Sequence, residues 1–182
     1  LRLRLLLELD PTIETIYAPY NPDSNPALAT WNSIQSEAEL HGIELIAPMV
    51  TTHQEIQQAI DSIPSEADAI FVLPDPNVAE RWPDWSSAAI ERNIPFSSLS
   101  YAEVQGGVLM AYGEELNAVG QQAARMASLV LNGADPGDLP VETADFFLSI
   151  NMETAEQTGI IVPDSILRRA TFIVYPDNED NP

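Results

Sequence analysis

Short apolar runs alternating with stripes of helical spacing constrain this chain more than any other feature of its sequence. Residues 13–18 form an apolar run closed by the turn formers Pro19, Asn21 and Pro22. Leu28, Trp31, Ile34 and Ala38 then recur at helical spacing until His41-Gly42. Residues 43–50 read as a second strand. Thr51 or Thr52 can cap the next helix, whose stripe is Ile56, Ile60 and Ile63. Residues 69–73 are nearly all apolar, as in a strand buried on both faces of a parallel sheet. Val78, Trp82, Trp85 and Ala89 share helical spacing with Pro83 among them, so a turn is expected before Pro83 and a helix from there. Strands four and five are expected over 95–99 and 108–112. Leu116, Val119, Ala123, Met126 and Val130 line one face of a long helix stopped by Asn132-Gly133. A sixth strand over 146–150 and short helices near 153–157 and 165–170 close the pattern. The alternation predicts an α/β fold: a doubly wound parallel sheet with right-handed crossovers, a Rossmann-like lobe over residues 1–175. The segment 176–182 is acidic and Pro-flanked and reads as a mobile tail.

A length of 182 residues suits one sizeable domain with its own core. The 28 acidic residues face only seven basic ones, all arginine, for a net charge of −21. Such a surface repels nucleic acid and anionic lipid. It serves solubility in a salty or extracellular setting, or steers cationic ligands. No apolar run is long enough to cross a bilayer. The chain lacks a starting Met, and no small-residue cleavage site follows its first apolar residues, so Leu1 reads as a point inside a longer protein. The absence of Cys excludes disulfides and thiolate metal sites.

In open parallel sheets, ligands bind outside the carboxyl ends of the strands. That rule selects Asn21, Ser24 and Asn25 after strand one and Thr51 after strand two. It selects Asp75 and Asn77 after strand three, Ser98, Ser100 and Tyr101 around the end of strand four, and Tyr112, Gly113 and Glu114 after strand five. Small polar groups with an acid and aromatics suit a pocket for a small polar ligand. Asp75, in Leu73-Pro74-Asp75-Pro76-Asn77, can hold a ligand ammonium or hydroxyl by a charge-assisted hydrogen bond, or can cap the next turn. Residues 21–25 can present backbone N–H groups to a carboxylate, or simply cap the first helix. No G-x-S-x-G elbow, P-loop or G-x-G-x-x-G motif is present. His41 and His53 have no neighbouring ligand cluster, so no metal, cofactor or catalytic residues are expected.

Several ordered segments give the chain a family resemblance. Leu5-Leu6-Leu7-Glu8-Leu9-Asp10-Pro11, Tyr20-Asn21-Pro22 and the run from Ala38 to Leu45 come first. The strand leading to Leu73-Pro74-Asp75-Pro76 follows. Gly120-Gln121-Gln122-Ala123-Ala124, Leu131-Asn132-Gly133, Leu139-Pro140-Val141-Glu142-Thr143, Asn151, Thr154-Ala155, Gly159 and Pro163 close the series. In this order they resemble the ABC-transporter substrate-binding family, whose better-known members bind aromatic amino acids. The resemblance implies the C-terminal lobe of a type I periplasmic-binding-protein clamshell, without its N-terminal lobe, and an extracytoplasmic protein that delivers a small solute to an ABC permease. It implies that Asp75, Ser100 and Asn21 face the cleft, and that the helix over 116–132 crosses to the other lobe. Where the family has Thr-Asp-Asn, this chain has Pro74-Asp75-Pro76, so the ligand stays open between an amino acid and other small polar solutes. A ligand-sensing domain of a signalling protein is the alternative expectation; an enzyme on a Rossmann-like lobe ranks below both.

Overall fold

Local signals place most element boundaries in the computed structural model, which describes residues 1–176. Helix α1 (Arg2–Leu9) leads to β1 (Thr15–Tyr17), α2 (Asn25–His41), β2 (Glu44–Ile46), α3 (His53–Asp61) and β3 (Ala69–Phe71). The single turn α4 (Pro76–Ala79), α5 (Trp82–Arg92), β4 (Phe96–Ser98), α6 (Tyr101–Gln105) and β5 (Met110–Glu114) follow. The chain then forms α7 (Leu116–Leu131), β6 (Phe146–Asn151), α8 (Met152–Thr158), α9 (Asp164–Leu167) and β7 (Phe172–Val174). Of the two threonines offered as a cap for α3, Thr52 is the one used: its side chain accepts from the Glu55 N–H and Glu55 bonds back in a capping box. Pro83 lies in the first turn of α5, as its missing N–H requires. The expected tail falls on residues 177–182, outside the described residues, apart from Pro176.

The seven strands lie in the order β2-β1-β3-β4-β5-β6-β7. Strands β1 to β5 are mutually parallel. The sheet is mostly parallel, as expected, with one reversal. β6 runs antiparallel to β5, with Met110 opposite Ile150 and Glu114 opposite Phe146. β7, which periodicity did not reveal, runs parallel to β6. Hydrophobic spacing reports which face of a strand is buried and carries no information on its direction. Strand lengths differ as well. The run over 43–50 is a strand only at Glu44–Ile46, but the β1–β2 ladder continues toward the carboxyl ends through Tyr20 N–H to Pro48 O and Val50 N–H to Tyr20 O, at 3.1 and 2.9 Å. Pro19 and Pro48 donate no N–H, which breaks the regular ladder there.

Two apolar layers cover the sheet. On one face, Leu3, Leu5, Leu6 and Leu9 of α1 and Ala27, Ile34 and Ala38 of α2 pack over Ile16, Phe71 and Leu73, with Ile166 of α9. On the other, Ile56 and Ile60 of α3 and Trp85 and Ala89 of α5 pack over Ile70, Val72 and Phe96. Burying these faces removes water from apolar surface at about 25 cal/mol per Å². Helix α7 stands apart. None of its residues is buried, and Leu116 and Leu131 are 75% and 87% exposed.

One backbone approach fixes β5 beside the segment after β4. A methyl group at Gly113 would sit 1.7 Å from the Leu99 carbonyl oxygen, which no small side-chain adjustment relieves. Gly113→Ala is therefore expected to lower unfolding free energy by roughly 2 kcal/mol or more. A urea unfolding curve with an unchanged midpoint would show that this contact is not close.

Candidate functional site

The strand order reverses at β1, whose neighbours are β2 on one side and β3 on the other. In doubly wound sheets this switch point opens a crevice at the carboxyl ends, because the following connections depart to opposite faces. Asn21 follows β1 and Asp75 follows β3, so both stand at that crevice. They meet there: Asn21 Nδ2 donates to Asp75 Oδ2 at 3.1 Å. Asp75 also caps α4, its Oδ1 accepting from the N–H groups of Asn77 and Val78, both at 3.1 Å. Ser24 Oγ donates to Pro74 O at 3.4 Å, tying the start of α2 to the same loop. Asp75 is only 4% exposed, yet three donors leave it roughly one of its four lone-pair sites for a further donor. Both readings of Asp75, capping residue and polar crevice group, are compatible with one carboxylate.

The other expected residues separate. Ser100 caps α6: its Oγ accepts from Ala102 N–H at 3.2 Å, while Glu103 accepts from the N–H groups of Ser100 and Leu99. Its hydroxyl proton remains available to an acceptor. Asn77 is exposed on the first turn of α4, its backbone N–H bound to Asp75. Tyr101 stacks on Phe172 of β7 at 4.4 Å between centroids, drawn away from the β1–β3 crevice. Ser98 is 1% exposed, and its hydroxyl has no hydrogen-bond partner among the described residues. The same holds for the buried Ser97, which was not expected to matter.

Arg2 was missed altogether. Its guanidinium donates to Ser98 O at 3.1 Å and to Val72 O, bridging the carboxyl ends of β4 and β3, and lies 3.8 Å over the Phe71 ring. The signal was present in the sequence. Arg2 precedes Leu5, Leu6 and Leu9 at helical spacing, which puts a cation on the buried stripe of α1. Burial pulls the guanidinium down to about 9, while the charge of Glu103 acts to raise it.

Two hollows lie elsewhere. One, of about 700 Å³, runs between α7 and residues 141–145 and is lined by Gln121, Gln122, Arg125 and Glu142. The other, of about 360 Å³, lies between α5 and α8, lined by Trp82, Ser86, Gln105 and Thr154. Neither includes Asn21 or Asp75.

A model of the ABC transporter substrate-binding protein family matches residues 2–174. The chain belongs to this family. It is 29% identical over 143 residues to the tyrosine-binding protein of Clostridioides difficile (strain R20291), covering 79% of this chain and 41% of that one. A conserved domain protein of Vibrio cholerae shares the fold with a TM-score of 0.80 and 30% identity, covering 94% of this chain and 58% of that one. A Streptococcus ABC domain solved with L-Trp gives 0.80 and 26% identity, covering 94% and 59%. The chain thus spans about half the length of these relatives. The mostly parallel α/β fold and the family resemblance agree with these matches.

The double role of Asp75 predicts a stability effect without any ligand. Asp75→Ala should lower stability by about 1–2 kcal/mol, whereas Asp75→Asn, which keeps the cap and gives up only the Asn21 bond, should lose less. Chemical denaturation of the two variants measures the difference, and equal losses would contradict the capping role.

Proposed function

We propose that this chain is the C-terminal lobe of an extracytoplasmic solute-binding protein that delivers an amino acid, aromatic members first, to an ABC permease. The observation that carries the reading is the Asn21–Asp75 pair at the switch point of the sheet. A buried carboxylate with spare accepting capacity suits a ligand ammonium, held by a charge-assisted hydrogen bond. Ser100, with its free hydroxyl proton, supplies a donor to the ligand from the end of β4. Asn77, Ser98 and Tyr101 contribute through the loops they brace rather than by contact. Two relatives, a tyrosine-binding protein and an ABC domain solved with L-Trp, support the aromatic amino-acid class.

In this reading the site has a second wall. The relatives are longer by an amount that fits another lobe, and the bare surface of α7 fits a helix that crosses to it. Ligand captured between two lobes stabilises the closed form, which the permease then recognises. No bond-making step is proposed. The family is one of solute binding, and the exposed His41 and His53 pair with Glu37 and Glu80 on the surface.

A thermal-shift screen of the whole protein against amino acids, purines, short peptides and sugars tests the proposal. An aromatic amino acid at 100 times its Kd should stabilise the protein by about 2.7 kcal/mol. Asp75→Asn, which keeps the cap, should weaken that ligand by roughly tenfold or more. A panel with no stabilising amino acid, or a ligand indifferent to Asp75→Asn, would contradict it.

A further inference from the structure

The most unusual group near the crevice is the buried cation. Arg2 is 8% exposed and forms no ion pair with a carboxylate within 4.0 Å among the described residues. Of its five N–H groups, two hydrogen bonds are accounted for, to Val72 O and Ser98 O. Both acceptors are uncharged carbonyls, and the Phe71 ring face below offers only a quadrupole. The Glu103 carboxylate acts on this charge from beyond ion-pair distance, and a buried charge held that loosely is still costly. Nearby, Ser97 lies opposite Phe71 in the β3–β4 register and so shares the face on which Arg2 rests. Its buried hydroxyl is also without a partner among the described residues. A cation and an unused hydroxyl thus share one face at the carboxyl ends of β3 and β4.

We propose that Arg2 makes this cleft select ligands that carry a carboxylate, by placing a positive charge beneath the crevice between β3 and β4 while Asp75 receives the ligand's ammonium. The inference rests on the amino-acid reading above and adds the second half of the zwitterion to it. Arg2 acts as a positioning residue through its charge and through the two strand ends it ties together; direct contact is not required. With its value held near 9 by burial, the guanidinium is still a cation at neutral pH, and a carboxylate arriving above it offsets part of the desolvation. The same charge would disfavour cationic amines at the site. On a chain with net charge −21, diffuse attraction alone would favour them, and a local positive charge reverses that preference at the site.

The test compares L-tryptophan with tryptamine, which differ only in the carboxylate, by calorimetric titration of the whole protein in about 0.15 M salt, where diffuse attraction is screened. The wild type should prefer tryptophan by roughly tenfold or more, the scale of one charge-assisted contact. Arg2→Met should lower the melting temperature and bring the two probes to within about threefold. Arg2→Lys, keeping the charge, should restore most of the preference. This rescue separates charge from scaffolding, since a purely structural role would weaken both probes alike. Equal binding of the two probes by the wild type, or an unchanged ratio in folded Arg2→Met, overturns the inference and leaves the solute-binding reading intact. Should the wild type bind neither probe, the aromatic amino-acid class falls and this inference with it. If Arg2→Met does not fold, Arg2→Gln provides the neutral comparison, with the same collapse of the ratio expected.

Discussion

The Asp75 carboxylate joins the parts of this lobe that have to agree. One oxygen takes the first N–H groups of α4; the other holds Asn21 across the gap between β1 and β3. The helix cap fixes the carboxylate's rotamer, and the Asn21 contact fixes the loop after β1, which leads into α2. A loop that both caps a helix and braces its neighbour is ordered before any ligand arrives. Pre-ordering matters because affinity lost to freezing a flexible site is not available for recognition.

Arg2 stands on the β4 side of β3, away from Asn21. It reaches from α1, packed by Leu3, Leu5, Leu6 and Leu9, to the carbonyls that end β3 and β4. The leucine stripe anchors the helix so firmly that a guanidinium can be carried into a buried position. In the proposed reading, an acid after β3 and a base beneath the ends of β3 and β4 suit a zwitterion. The bare surface of α7 fits the same picture from another direction, since Leu116 and Leu131 are left in water by every element among the described residues.

The layered fold was largely legible in the sequence because its signals are local. The stripe of Ile56 and Ile60, the Thr52 cap and the glycine stop at Gly42, which adopts φ 70°, act within one helix and its neighbours. Strand direction was not legible, since β6 shows the same alternation whichever way it runs. The five-residue α6 carried a signal, the Ser100-x-x-Glu103 capping box. Ser100 drew attention as a site residue instead, and the two roles fall on one side chain. Of the expected site, Asn21 and Asp75 come together because their loops follow adjacent strands. Tyr101 does not, because Phe172 of the unforeseen β7 offers its ring a better face. Arg2 reads as a flank of the leucine run, although its spacing to Leu5, Leu6 and Leu9 already puts it on the buried stripe; the carbonyls it reaches come only from the packing.

The central claim is that a ligand sits at the carboxyl ends of β1, β3 and β4. A crystal structure of the whole protein with its strongest-binding amino acid tests it most directly. The account predicts density for the ligand above Asn21 and Asp75, with its nitrogen about 3 Å from an Asp75 oxygen and its carboxylate toward the β3–β4 side. A ligand seated instead in the groove between α5 and α8, with Asp75 keeping only its partners within the chain, would contradict it.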